Sequence, residues 1–156
     1  MYKILFVCTG ATCRSPMANA IFNRKVKDYN LSSIKSNFAG ISVEYGSVIN
    51  PKSKQALHSF GIAKVMGKPT QITGKHLADY NLIVCMTEDH KEALQVMVTK
   101  EFVSKIVCIK DFCGYDITDP YGCSQEVYNA CMSQIATAIE KIIEVLLGNG
   151  IAKQKK

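Results

Sequence analysis

Two residues near the N-terminus, Cys8 and Arg14, have the types and spacing to do chemistry together. They lie in the stretch Val7-Cys8-Thr9-Gly10-Ala11-Thr12-Cys13-Arg14-Ser15-Pro16. A cysteine beside a helix N-terminus and an arginine is expected to be held as a thiolate, the nucleophilic form. Arginine returns to the same cradle with a planar fork that grips two oxygens of a phosphoryl group. Ser15 can donate a hydrogen bond to the thiolate and ease its departure as a leaving group. The backbone N–H groups of Thr9, Gly10, Ala11, Thr12 and Cys13 would complete an anion nest, reinforced by the helix dipole.

That chemistry requires a strand before the stretch and a helix after it. Tyr2-Lys3-Ile4-Leu5-Phe6-Val7 is short, apolar and β-branched, as a buried first strand is. Ser15 followed by Pro16 reads as a hydroxyl N-cap with proline at the first helical position. Helical spacing of Ala18, Ile21, Phe22 and Val26 continues to about Asp28. A second strand is expected over Ile34 to Ala39, then a turn-rich piece from Gly40 to Asn50. Pro51 opens a second helix that Gly61 closes. A short helix is expected near Lys75 to Ala78. Leu82-Ile83-Val84-Cys85-Met86 is a continuous apolar run, the pattern of a parallel strand buried on both faces. Thr87 or Glu88 starts a third helix through Ala93, Leu94 and Met97. Ile106-Val107-Cys108-Ile109 is the fourth strand, followed by a loop from Lys110 to Tyr121. The last helix carries Val127, Cys131, Ile135, Ala138, Ile139, Ile142 and Leu146 as a stripe, with Ser124 as N-cap and Gly148 as stop. Strands alternating with helices predict right-handed crossovers and a parallel α/β sheet with helices on both faces. Ligands bind such sheets beyond the carboxyl ends of the strands, where Cys8 falls.

Composition narrows the class. A chain of 156 residues, 47% hydrophobic and 21% charged, is read as one globular domain over residues 1–150 with a basic tail at 151–156. No run approaches membrane-spanning length, and the apolar start is strand-sized rather than a signal peptide, so no membrane insertion is expected. Seven cysteines without a Cys-x-x-Cys pair argue for a reducing, cytoplasmic setting rather than a disulfide scaffold. The net charge of +6 does not indicate nucleic acid. Lys153, Lys155 and Lys156, read as a frayed tail, supply half of it, and no basic stripe with interleaved aromatics exists. His58, His76 and His90 have no neighbours at metal-ligand spacing and are read as surface or satisfied histidines. Neither metal nor cofactor is expected.

A second chemical element is Asp119-Pro120-Tyr121-Gly122. A thiolate attacking a phosphate ester needs a proton delivered to the departing oxygen, and an aspartic acid on a nearby loop can deliver it. Tyr121 could wall a slot for a flat leaving group. The tetrapeptide also reads simply as a turn, and Asp116 is an alternative acid in the same loop.

These motifs, in this order and spacing, resemble the low-molecular-weight protein tyrosine phosphatases over nearly the whole chain, up to about Leu147. The resemblance implies a flavodoxin-like, three-layer fold with a four-stranded parallel sheet. It also implies metal-independent hydrolysis of phosphotyrosine on protein substrates through a cysteinyl-phosphate. The single-domain chain is expected to act as a monomer. By position Cys8 is the nucleophile, Arg14 the phosphate clamp, Ser15 the thiolate partner and Asp119 the general acid. Cys13 matches a loop cysteine able to form a reversible disulfide with the nucleophile. Tyr45 stands in the region of an aromatic wall residue. Ala11 replaces an asparagine that usually braces the loop in a left-handed conformation. Thr12 and Gly122 look more like the bacterial branch, which includes protein-arginine phosphatases. Related arsenate reductases and a non-catalytic phosphate-binding module are the remaining alternatives.

Overall fold

The computed structural model describes residues 1–155. In chain order it contains β1 (Tyr2–Cys8), α1 (Arg14–Asp28), β2 (Leu31–Ser32), β3 (Ile34–Gly40), α2 (Pro51–Ser59) and α3 (Gly74–Asp79). These are followed by β4 (Leu82–Cys85), α4 (Glu88–Met97), β5 (Ile106–Cys108), α5 (Lys110–Cys113), α6 (Gln125–Gly148) and β6 (Lys153–Gln154). The main sheet has the order β3-β1-β4-β5, and all its pairs are parallel. The α/β architecture is therefore the expected one, with β1 central.

Strand alternation divides the core in two. Ile4, Phe6 and Cys8 face the layer that includes α1 and α6, where Ile21, Phe22, Ile135, Ile139 and Ile142 are buried. Leu5 and Val7 face the other layer, packed with Leu77, Tyr80, Ile83 and Leu94. Because β1 is covered on both faces, its end is fixed laterally as well as vertically. Cys8 occupies that end, paired in register with Gly40 on β3. Gly40 is required there by close approach: an added Cβ would stand 2.6 Å from the Thr9 carbonyl oxygen and 3.0 Å from the Ala11 nitrogen.

Several local expectations need correction. Ser15 is not the N-cap of α1; the helix already begins at Arg14, and Cys13 occupies the cap without a side-chain hydrogen bond. Val127 lies outside the buried stripe of α6, and Tyr128, one residue on, takes its place. The stretch after β5 contains the single turn α5, closed by Gly114 at φ 89°. The tail is not frayed as far as it is described. β6 pairs antiparallel with β2, Lys155 donates its backbone N–H to the Asn30 carbonyl at 2.8 Å, and Ala152 is buried. Lys156 lies outside the described residues. Among the described residues no helix is long and apolar enough to cross a membrane.

Candidate active site

The loop between β1 and α1 is held by its carbonyl groups. Ile41 N–H donates to Cys8 O at 3.0 Å, Ser42 N–H to Thr9 O at 2.9 Å, and Asn50 N–H to Thr12 O at 2.8 Å. Ser53 Oγ donates to Cys13 O at 3.4 Å. With the carbonyls bound outward, none of the N–H groups from Thr9 to Arg14 donates to a protein acceptor among the described residues. A loop in that state presents a ring of donors, the arrangement that binds oxyanions. Ala11, fully buried, holds the left-handed conformation at φ 58° that the tight loop demands. It is not among the residues that line the cleft.

Cys8 Sγ lies 3.1 Å from Ser15 Oγ, whose hydroxyl also reaches the Ala39 carbonyl at 3.4 Å. A thiol at position 8 can donate to Ser15 while Ser15 donates to Ala39. A thiolate instead accepts a hydrogen bond from the Ser15 hydroxyl. Starting α1 at Arg14 puts Ser15 inside the first turn, and this is what points its Oγ at the sulfur.

Arg14 is buried. Its Nη1 donates to Ile117 O at 3.0 Å, and its Nη2 lies 3.8 Å from Asp119 Oδ2. Its Nε is buried without a protein partner among the described residues. Asp119 is 55% exposed, and its Oδ1 accepts the Tyr121 N–H at 3.1 Å. The loop that carries it is fastened at both ends. Ile117 N–H donates to Met86 O at 2.9 Å, and Lys52 Nζ donates to Cys123 O at 2.6 Å. Asp116 is directed elsewhere, accepting the Glu88 N–H at the start of α4 at 3.2 Å.

Cys8, Thr9, Gly10, Thr12, Cys13, Arg14, Asp119 and Tyr121 thus line one open cleft of about 500 Å³. Cys13 keeps its thiol 3.4 Å from the Tyr128 hydroxyl at the base of α6. Tyr45 is not brought to the cleft. It is fully exposed, and Glu44, Ser47 and Val48 line the rim in its place.

His90 is the residue that sequence reasoning missed. It is 8% exposed, and its Nε2 lies 2.8 Å from Thr9 Oγ1 and 3.5 Å from Arg14 Nη2. Burial, then the Arg14 charge, lowers its pKa to about 4, so the ring is neutral near pH 7. One signal was available. A helix that follows a strand neighbouring β1 starts at the same sheet edge as the Cys8 loop, so its first turn faces that loop.

The family model for low molecular weight phosphotyrosine protein phosphatases matches residues 3–155. The chain belongs to that family. A protein-arginine-phosphatase of Geobacillus stearothermophilus is 34% identical, over 93% of this chain and 96% of the relative. A low molecular weight phosphotyrosine protein phosphatase of Sus scrofa is 30% identical, over 90% of this chain and 95% of the relative. Among solved structures, the low molecular weight protein tyrosine phosphatase from T. tengcongensis superimposes with a TM-score of 0.86 at 34% identity, covering 94% of this chain and all of that one. Low molecular weight phosphatases are hydrolases, and relatives named for tyrosine and for arginine stand at similar distances from this chain.

Proposed function

We propose that this low molecular weight phosphatase dephosphorylates phosphotyrosyl side chains of proteins in two steps. The observation that carries the reading is Cys8 Sγ set against Ser15 Oγ, with Arg14 and Asp119 together at the same cleft. The loop N–H groups and Arg14 receive the phosphate dianion. The Cys8 thiolate attacks phosphorus, the P–O ester bond breaks, and protonated Asp119 gives its proton to the departing phenol oxygen. The Asp119 carboxylate then takes a proton from water as that water attacks the cysteinyl-phosphate. The S–P bond breaks, inorganic phosphate is released, and Ser15 stabilises the returning thiolate. Tyr121 and Val48 on the rim supply apolar surface for an aromatic ring.

Phosphoarginine is the second reading. With Tyr45 turned away, Tyr121 is the single aromatic on the cleft among the described residues, and the Glu44 carboxylate stands on a rim where a guanidinium would gain from it. Thr12, at the position that suggested the arginine-specific branch, lines the same cleft. Arsenate reduction gains no support from Cys85, a core residue of β4 whose thiol burial pushes well up.

Specificity constants for phosphotyrosyl and phosphoarginyl peptides, measured side by side in chelator, test the assignment. The expected result is faster hydrolysis of the phosphotyrosyl peptide. A clear preference for phosphoarginine that falls in Thr12→Ile would replace tyrosine with arginine. Absence of both activities would remove the phosphatase reading.

A further inference from the structure

The phosphate loop has little bracing from within. Ala11, at its tightest point, has only a methyl group and can make no side-chain hydrogen bond. The loop's polar side chains therefore need a partner from another element. Thr9 finds one in His90, which is 81 residues away in sequence.

His90 is itself firmly placed. It is the third residue of α4, and its backbone N–H donates to the Oγ1 of the cap residue Thr87 at 3.1 Å. Thr87 follows β4, the neighbour of β1, so the cap and the phosphate loop share one sheet edge. The ring is buried, and Nδ1 has no partner among the described residues. Nε2 is thus the atom through which the side chain acts. Arginine can only donate, so the 3.5 Å approach of Arg14 Nη2 calls for a lone pair on Nε2. A neutral imidazole protonated at Nδ1 supplies it, and the same lone pair faces the Thr9 hydroxyl.

We propose that His90 is a positioning residue that anchors both ends of the phosphate loop, Thr9 after the nucleophile and Arg14 at the clamp, to the cap of α4. It touches neither phosphorus nor the leaving group. It fixes the direction of the guanidinium that Ile117 O and Asp119 hold from other sides. The inference rests on the reading of this loop as the phosphate site.

The test uses the full chain. His90→Ala, His90→Gln and Thr9→Val are compared for kcat and KM on para-nitrophenyl phosphate and for melting temperature. Each is also made in a Cys8→Ser background, where inorganic phosphate binding is titrated without turnover. His90→Ala is expected to lower kcat/KM by about 10–100-fold, the scale of a displaced positioning contact, and to weaken phosphate binding in parallel. Glutamine, whose carbonyl oxygen accepts hydrogen bonds, is expected to restore most of both. In the Thr9→Val background, His90→Ala should cost clearly less than in the wild type, because part of the contact is already gone.

The proposal is overturned if His90→Ala stays within twofold of wild type in phosphate affinity and kcat/KM. It is equally overturned if glutamine loses as much as alanine while both follow a drop in melting temperature. Should His90→Ala not fold, Thr9→Val decides: wild-type phosphate affinity there overturns the proposal, and a loss at unchanged melting temperature upholds it. An inactive wild-type enzyme would sink the phosphatase reading alone, since the phosphate titration would still report on the brace.

Discussion

The two loops that meet at the cleft are built in opposite ways. From Cys8 to Ser15 the backbone is tied through its carbonyls to residues 41, 42, 50 and 53, and the side chains of Cys8, Arg14 and Ser15 are buried. The Asp119 loop is fastened at Ile117 and Cys123, but between them Asp119 is 55% exposed and Tyr121 is 72% exposed. In the proposed mechanism the first loop handles what every phosphoryl substrate has in common, and rigidity there lowers the cost of organising the site. In the same mechanism the second meets the leaving group, which differs among substrates, and it lies on the surface where side chains can change without disturbing the core. Perturbing the first should therefore affect all substrates alike, and perturbing the second should depend on the leaving group.

The largest effect is expected at the buried loop. Cys8→Ser should reduce turnover of every phosphate ester by at least about 10⁴-fold, because serine is not ionised there, while phosphate still binds. Steady-state assays paired with a phosphate titration check this. Asp119→Asn should slow an alkyl phosphate or a phenol with a high pKa by about 10²–10⁴-fold and para-nitrophenyl phosphate much less. A uniform loss across leaving groups would break the contrast between the loops. Tyr121→Ala should raise KM for aryl phosphates severalfold and leave inhibition by inorganic phosphate unchanged, as expected of a residue that lines the cleft from outside the Cys8–Arg14 loop. The smallest effect is expected at Ala11. Replacing it by glycine relieves a left-handed alanine but removes a buried methyl, so stability should change by no more than about 1 kcal/mol. Ala11→Val, β-branched at the same φ, should lower the melting temperature distinctly. Thermal unfolding of the two variants separates these outcomes.

Much of the fold was legible because its signals are local. The apolar runs of β1 and β4, the Pro51 start of α2 and the Ser124 cap of α6 follow from hydrophobic burial and local backbone chemistry within a few residues. Arg14 is six residues from Cys8, and a loop that short leaves few ways to arrange the pair.

Tertiary structure decided the features whose partners are distant in sequence. Tyr45 was legible as an aromatic, but its direction depends on how residues 40–50 pack, and it points to solvent. The end of the chain read as a frayed basic tail, yet β2 supplies an edge that pairs with Lys153 and Gln154. Asp116 stood as an alternative to Asp119 on paper; in the fold the Asp116 carboxylate takes the Glu88 amide while Asp119 meets Arg14. His90 shows the same rule most clearly. The strand, the loop, the helix and the six-residue spacing of Cys8 and Arg14 were set by the sequence alone, because each depends on near neighbours. Burial of an unremarkable histidine against Thr9 and Arg14 depends on β4 lying beside β1, a juxtaposition that only the folded sheet creates.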